Sequence, residues 1–298
     1  MKNTFRHLIL QASDTKEGSK SLKTEENNSM ELRFSPLFSG SSGNAIYVGC
    51  DDTHLLVDAG MSGTRITQEL SRVGVDPGCL SGILVTHEHS DHIKGIGILS
   101  RKYDLPVFAT EGTWQEMHGK IGCVADKNMR IFEPGQDFFL GSIDVTGFST
   151  PHDAAQPVGY TFELHGAKLA IATDLGSIRD SWYKYVCNAD AVILESNYDP
   201  DMLKAGPYPY DLKKRILSRH GHLSNDDAGL VAAQLVRKGT KQIILGHLSK
   251  ENNFPELAMR SCELALRQEG IVPHEDVQLL VASRDGNSGM FSISANLW

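Results

Sequence analysis

The stretch VTHEHSDHIKG, from Val85 to Gly95, constrains the fold more than any other part of the sequence. It follows the apolar run GIL and contains four residues of metal-ligand type: His87, His89, Asp91 and His92. In an extended segment, the side chains of residues i and i+2 point to the same side, so His87 and His89 can bind one ion together. Asp91 and His92 lie past a bend, where a helix is expected to begin, and can face elsewhere. Imidazole and carboxylate ligands suit zinc, manganese or iron. A solvated histidine-rich loop is the weaker alternative for so dense a cluster.

Three later apolar strands also end at residues of ligand type. His152 follows VTGFSTP, Asp174 closes KLAIATD, and His247 closes QIILGH. Sites on layered α/β folds are built where strands stop. Each residue alone is explained as well by a helix cap or an ordinary hydrogen bond. As a set with the first cluster, they predict further ligands for two ions.

The remaining pattern predicts an α/β (α+β) protein. AIYVG and HLLVDAG indicate consecutive strands, and PVGYTFELHGAKLAIATD indicates a hairpin that turns at His165–Gly166. DHIKGIGILSRKY is typical of one helix that begins inside the histidine cluster. SNDDAGLVAAQLVRKG predicts a helix with Ser224 as N-cap and Gly239 just past its end.

The N-terminal segment differs from the rest of the chain. Residues 11–29 have almost nothing to bury, which predicts that residues 1–29 are a disordered tail. A start codon assigned too early is the alternative, because Met30 begins a β-rich pattern. Residues 30–298 are then expected to form one catalytic domain.

Composition excludes some classes of protein. The net charge of -8 argues against a surface that grips nucleic acid everywhere, although a local basic patch remains possible. The 5 cysteines are scattered, with no CxxC pair, which favours a reduced, cytoplasmic protein. No apolar stretch approaches the length of a membrane span, so no membrane association is expected.

Taken together, THEHSDH, TPHD, ATDLG and LGHLS resemble the metallo-β-lactamase superfamily in its binuclear hydrolase form. The resemblance implies a four-layer αβ/βα sandwich with two divalent ions, zinc or manganese and less often iron, in a cleft between two sheets. It assigns the first ion to His87, His89 and His152. It assigns the second ion to Asp91, His92 and His247, with Asp174 bridging both and Asp58 bracing the metal loop. His89, where iron–flavin relatives usually carry Glu, favours hydrolysis over oxygen chemistry.

Three further stretches bear on the substrate. FSGSSGNAIYV, LESNYD and RHGHLSNDDAG resemble parts of the phosphodiesterases of this superfamily. The resemblance implies His222 as general acid, with Glu195 stabilising its charged form and Asp91 counted with them as catalytic. It also suggests four substrate contacts: Ser41, Asn44, Asn197 and Ser224. Each stretch has a simpler alternative. The small residues of FSGSSGNAIYV can form a tight strand connection, Glu195 can be a surface charge at a strand end, and His222 can be an ordinary helix-start residue.

The full combination most closely resembles the bacterial YycJ/WalJ group, which implies a DNA exonuclease, linked to repair, that uses a hydroxide shared by two ions. Candidate DNA contacts surround Tyr208 and Tyr210, on which bases can stack. They are Lys204, Lys213, Lys214, Arg215 and Arg219. A solvated helix face is the other interpretation. Two other functions stay open: a thioesterase or lactonase of the glyoxalase II type, and a non-enzymatic regulator stabilised by metal.

Overall fold

Two β-sheets face each other, with helices on both outer sides. The computed structural model describes residues 31–294, so the predicted tail at 1–29 lies outside the described residues. Each sheet has seven strands. The layers therefore run helix, sheet, sheet, helix, which confirms the predicted four-layer αβ/βα sandwich.

The first sheet combines the N-terminal strands with the last strand of the described chain. Its members are β1 (Glu31–Phe38), β2 (Ala45–Gly49), β3 (His54–Val57), β4 (Gly82–Leu84), β5 (Val107–Ala109), β6 (Met129–Ile131) and β14 (Phe291–Ser294). Their order across the sheet is β14-β1-β2-β3-β4-β5-β6. The pairs from β3 to β6 are parallel, and the others are antiparallel.

The second sheet repeats this division into an antiparallel and a parallel half. Its members are β7 (Asp137–Leu140), β8 (Ile143–Ser149), β9 (Val158–Leu164), β10 (Ala167–Ala172), β11 (Ala191–Glu195), β12 (Gln242–Gly246) and β13 (Gln278–Val281). Their order is β13-β12-β11-β10-β9-β8-β7, with parallel pairs from β10 to β13. The carboxyl ends of parallel strands meet at one edge of a sheet, where ligand and metal sites of α/β folds are commonly found.

Helices flank the two sheets, and six of them cover the outer faces. They are α1 (Gly63–Arg72), α2 (Ser90–Ile93), α3 (Ile96–Tyr103), α4 (Glu111–Met117), α5 (Asp180–Val186), α6 (Pro200–Ala205), α7 (Tyr210–Ile216), α8 (Asn225–Arg237) and α9 (Pro255–Gln268). Helices α1, α3 and α4 pack on the first sheet, and α5, α8 and α9 pack on the second. Alternation along the strands supplies both sides: Ile193 of β11 faces the core between the sheets, and its neighbours Val192 and Leu194 face the helices. None of the helices among residues 31–294 is both long and apolar enough to cross a bilayer.

Most of the predicted elements are present. The hairpin turns at His165 and Gly166, whose φ angles of 48° and 85° are those of a tight primed turn. Ser224 caps α8 by accepting a hydrogen bond from the backbone N–H of Asp227, and Gly239 follows the helix with a φ of 105°.

The single helix predicted from DHIKGIGILSRKY is wrong, because the structure divides it into α2 and α3. In a continuous helix, the N–H of Gly95 would donate to the carbonyl of Asp91. Instead, it donates to the carbonyl of Ala59 at 2.6 Å, and the Asp91 carbonyl accepts from the N–H of Asn44 at 2.8 Å. These two tertiary hydrogen bonds hold the histidine cluster against the ends of the neighbouring strands. Helix α6 and strand β14 are not predicted from the sequence, and α7 is anticipated only as a solvated helix face.

Candidate metal centre

The predicted metal ligands, scattered over more than half of the chain, meet in one cleft between the sheets. His87 lies beyond the end of β4, His152 beyond β8, and His247 directly after β12. Within one group, the ligand atoms of His87, His89 and His152 lie within 4.8 Å of one another. A second such group contains Asp91, His92 and His247. These groups coincide with the two ligand sets that the resemblance implies. Two further groups overlap them: His87, His92 and Asp174, and Asp174, Glu195, His222 and His247.

Distances between individual atoms suit a shared ion in each group. Nε2 of His87 lies 3.0 Å from Nδ1 of His89. Oδ2 of Asp91 lies 3.6 Å from Nε2 of His92 and 3.9 Å from Nε2 of His247. Two atoms that bind one zinc ion at about 2.1 Å cannot be more than about 4.2 Å apart. These three pairs of atoms therefore already lie within the separation that binding to one ion allows.

Asp174 lies between the two groups. Its Oδ2 is 3.6 Å from Nε2 of His92, and its Oδ1 is 3.7 Å from Nε2 of His152. The carboxylate is buried, with Oδ2 beside His92 of the second group. Its Oδ1 lies between the groups, near His152 of the first and 3.5 Å from Nδ1 of His247 of the second. This is the placement that a bridging ligand needs.

Several buried atoms in the cleft have no hydrogen-bond partner among the described residues. They are Nε2 of His152, Nε2 of His247 and Oδ2 of Asp174. Leaving a buried polar atom unpaired costs about 1–3 kcal/mol. A divalent cation would be a partner for all three, and nitrogen and carboxylate donors are those that such ions take. The residues present thus fit a metal centre.

Hydrogen bonds on the far side of the imidazole rings fix how the histidines point. Nδ1 of His92 donates to Oδ2 of Asp58 at 2.7 Å, and Nδ1 of His152 donates to the carbonyl of Gly221 at 3.0 Å. Nδ1 of His247 donates to Glu195 at 2.8 Å. Each ring therefore turns Nε2 toward the centre, since orienting partners of this kind are typical of metal-binding histidines.

Asp58 supports two of these side chains. Besides His92, it accepts hydrogen bonds from the N–H and the hydroxyl of Thr86, both at 2.8 Å. The Thr86 hydroxyl oxygen in turn lies 3.0 Å from Nδ1 of His87. The resemblance implies Asp58 but gives no role to Thr86, although Thr86 directly precedes the histidine cluster.

Three of the site residues adopt left-handed backbone conformations. The φ angles are 59° at Asp58, 57° at Asp174 and 57° at His247, each at or just past a strand end. This region costs roughly 1–2 kcal/mol for a residue with a Cβ, and Asp and His occur there more often than most residues. Strain at three points of one cleft is typical of a functional site.

The cleft is electrostatically arranged for cations. Burial alone would lower the pKa of His92, but Asp58, Asp174 and Asp91 together raise it to about 9. Burial would likewise raise the pKa of Asp91, yet His92 and His247 hold it well below its usual value. An imidazole must lose its proton to bind a metal. The carboxylates that favour the charged ring therefore favour a metal ion in the proton's place.

Glu195 and His222 lie beside this centre. Glu195 is fully buried, and its Oε1 accepts hydrogen bonds from Nδ1 of His222 and Nδ1 of His247, each at 2.8 Å. Its Oε2 accepts from the backbone N–H groups of Leu175 and Leu223, at 2.7 and 3.1 Å. Burial opposes ionisation, but His222 and His247 lower the pKa of Glu195 below its ordinary value. The pair predicted from the sequence is therefore in direct contact.

The predicted substrate contacts divide into two kinds. Ser41 and Asn197 line the cleft, which has a volume of about 360 Å³. Asn44 and Ser224 are not among the residues that line it. Asn44 is buried with its Nδ2 at 3.0 Å from Nε2 of His92, and the Ser224 hydroxyl is occupied in capping α8.

The cleft also contains residues that sequence reasoning did not place there. Asp153, next to His152 in TPHD, accepts a hydrogen bond from Nε of Arg215, and both line the cleft. Asp153 is also 3.4 Å from Nε2 of His152 through its Oδ1. The signal for Asp153 in the sequence is its position directly after the predicted ligand His152. Arg215 had been predicted only as part of a basic patch.

Comparison with known proteins agrees with this geometry. The model of the β-lactamase superfamily domain matches residues 53–248. The chain belongs to the metallo-β-lactamase superfamily. The solved structure of the metallo-β-lactamase fold protein YhfI from Bacillus subtilis covers 89% of this chain and 100% of its own, with a TM-score of 0.66 and 17% identity. At that identity, the likeness shows the fold alone.

Two curated members of the superfamily match most of the sequence. Exodeoxyribonuclease YycJ of Bacillus anthracis is 46% identical over 241 residues, which is 81% of this chain and 91% of the relative. Exodeoxyribonuclease WalJ of Streptococcus pneumoniae serotype 2 strain D39 is 42% identical over 256 residues, or 85% of this chain and 95% of the relative. Both alignments are long enough to include both sheets.

Proposed function

We propose that this chain is a metal-dependent phosphodiesterase that acts as a DNA exonuclease. The observation that carries the proposal is the position of His222, held by a buried glutamate at the edge of the two ligand groups. The names of the two relatives, both exodeoxyribonucleases, support DNA as the substrate.

Two divalent ions, zinc or manganese and less often iron, are the proposed cofactors. His87, His89 and His152 would hold the first, and Asp91, His92 and His247 the second, with Asp174 shared. Such ions lower the pKa of water and stabilise the charge that develops on phosphoryl oxygens. Asp58 keeps His92 in its orientation by accepting from Nδ1.

His222 is the proposed general acid. Its Nδ1 donates to Glu195, so Nε2 is the nitrogen that remains for the cleft. In the charged imidazolium, Nε2 carries a proton that can pass to the departing oxygen of the DNA strand. Glu195 stays ionised and compensates the positive charge on the ring. Proton transfer of this kind contributes about 10²–10⁴-fold to a rate.

The cleft offers further groups for the scissile phosphate. Ser41 and Asn197 line it and are the proposed substrate contacts. The Asn197 amide is fixed by donating to the carbonyl of His247 at 2.7 Å. Arg215 adds a positive charge at the cleft wall, and guanidinium groups bind phosphate well.

All 5 cysteines are free, which supports a reducing, cytoplasmic setting.

A single assay set tests this function. The protein is loaded with zinc or with manganese and incubated with end-labelled DNA strands, bis-p-nitrophenyl phosphate and a glutathione thioester. We expect mononucleotides to be released from one labelled end and the thioester to remain intact. Thioester hydrolysis without DNA hydrolysis would instead favour the glyoxalase II type. No hydrolysis of any substrate with either metal would favour the non-enzymatic regulator.

A further inference from the structure

Helix α7 separates the metal cleft from a second groove on the surface. The second groove has a volume of about 630 Å³ and is called here the lysine–tyrosine groove. It is lined mainly by Lys204, Tyr208, Tyr210, Lys213, Lys214 and Leu217. The candidate metal ligands and His222 do not line this groove.

The two faces of α7 serve the two cavities. Tyr210, Lys213, Lys214 and Leu217 follow the 3–4–7 spacing of one helix face and line the lysine–tyrosine groove. The opposite face carries Leu212, Arg215 and Ile216, which line the metal cleft. The half-buried Tyr208 lines both cavities. The groove and the cleft therefore adjoin at Tyr208, just before the start of the helix.

The groove is rich in cations and aromatic surface, although the whole chain has a net charge of -8. Tyr210 is 79% exposed. The Lys213 ammonium donates to the carbonyl of Lys204 at 2.7 Å, and Lys204 lies 3.4 Å from the exposed Asp201. Lys214 is exposed and makes no ion pair with any residue from 31 to 294. Phosphate groups are complementary to such lysines, and unstacked bases are complementary to an exposed tyrosine ring.

We propose that the lysine–tyrosine groove binds the single-stranded part of a DNA substrate while the terminal nucleotide occupies the metal cleft. The strand passes over Tyr208, its phosphates follow the lysines, and a base stacks on Tyr210. This inference rests on the proposed nuclease function. A helix with its side chains is about 10–12 Å wide, so only strands several nucleotides long reach the groove.

Matched substitutions test the groove. Lys214→Glu is compared with Lys238→Glu, which makes the same change in net charge. Lys238 follows the C-terminal end of α8, about 20 Å along that helix from its N-cap Ser224. Tyr210→Ala is compared with Phe139→Ala, since Phe139 is 72% exposed on the outermost strand β7. Tyr210→Phe keeps the ring and so controls for a loss of folding, as does thermal unfolding of every variant.

Binding is measured with EDTA present, by fluorescence anisotropy of a labelled single strand about twenty nucleotides long. We expect Lys214→Glu and Tyr210→Ala each to weaken binding about tenfold, and Tyr210→Phe to bind like the unmodified chain. Lys214→Glu should also reduce the slope of log affinity against log salt by about 0.7, the value for one lost phosphate contact on a single strand. The two control variants should match the unmodified chain.

Equal weakening in the control variants, or no weakening in the groove variants, would overturn the proposal. So would a blunt duplex that binds as tightly as the single strand. Because hydrolysis is blocked in this measurement, its outcome is separate from that of the nuclease assay. Failure of that assay with normal, groove-dependent binding would sink the proposed function and leave a DNA-binding groove.

Discussion

Glu195 contacts His222 through an oxygen that it also offers to a predicted metal ligand. Its Oε1 lies 2.8 Å from Nδ1 of His222 and 2.8 Å from Nδ1 of His247. One buried carboxylate therefore orients both the proposed acid and a ligand of the proposed second ion. Changes at His222, Glu195 and Asp174 should separate the acid's role from the metal's.

Removing the proposed acid should spare the metal centre. We expect His222→Ala to retain its metal content and to lose about 10²–10⁴-fold in turnover on DNA, whose leaving oxygen needs a proton. Bis-p-nitrophenyl phosphate should lose much less, because its leaving group departs without protonation. Metal analysis and the two rate measurements check this. Equal losses on the two substrates would remove His222 from the acid role.

Glu195→Gln should affect both partners of the carboxylate. The amide has the same size but no charge to compensate an imidazolium, so turnover on DNA should fall. Metal affinity should also fall, by about 10–100-fold, because the amide has one acceptor oxygen for the four N–H groups that the carboxylate accepts, which weakens the orientation of His247. A titration with zinc against a competing chelator measures this. The exposed Glu163 on β9 gives a control, Glu163→Gln, which should change neither quantity. Unchanged zinc affinity in Glu195→Gln would contradict the shared role.

Asp174→Ala should cost the protein its metal. Chelation should lower the melting temperature of the unmodified chain, since an ion at 100 times its Kd stabilises the folded state by about 2.7 kcal/mol. The variant should melt at the same temperature with and without EDTA. Asp104→Ala is the matched control, because Asp104 has a φ of 54°, close to the 57° of Asp174, but lies on the surface beside Lys127. Normal metal content in Asp174→Ala would exclude a bridging ligand.

Most ligand residues of the candidate site could be predicted from the sequence, because they are closely spaced along the chain or stand at the ends of apolar strands. His87 and His89 are two apart on an extended segment, and Asp174 and His247 end obvious apolar strands. The four-layer arrangement followed from the resemblance rather than from strand patterns. Alternation alone could not have told which strands share a sheet.

Other features depend on contacts between distant segments, which the sequence does not display. The break between α2 and α3 depends on hydrogen bonds to Ala59 and Asn44. The left-handed φ of Asp174 is likewise not evident from the sequence, since most aspartates do not adopt it. Helix α7 is short and mostly polar, and only Leu212 and Ile216 on it pack in a small cluster with Tyr198 and Leu203. The sequence predicts Lys204, Tyr208, Tyr210, Lys213 and Lys214 as candidate DNA contacts, but not that they line a cavity separate from the metal cleft.

Glu69 ties α1 to the segment just before β14. Its Oε2 accepts hydrogen bonds from Nδ2 and the backbone N–H of Asn287, at 2.6 and 3.1 Å, and Arg72 pairs with the other oxygen. Burial opposes ionisation, but Asn287 and Arg72 lower the pKa of Glu69 below its ordinary value. The unfolded chain therefore binds a proton at this residue more readily than the folded chain does.

Glu69→Gln should reduce stability in a way that depends on pH. A carboxyl whose pKa is lowered by folding stabilises the protein above its unfolded pKa, about 4.3, and this stability is lost as the pH falls through the folded value. The difference in unfolding free energy between the unmodified chain and the variant should thus be constant from pH 7 to about 5 and shrink below about 4. Denaturant titrations at each pH, with EDTA in all samples so that metal release does not contribute, measure it. The exposed Glu116 on α4 gives the control Glu116→Gln, which should show no such trend. A difference for Glu69→Gln that grows on acidification would mean that folding raises the pKa of this carboxyl instead of lowering it.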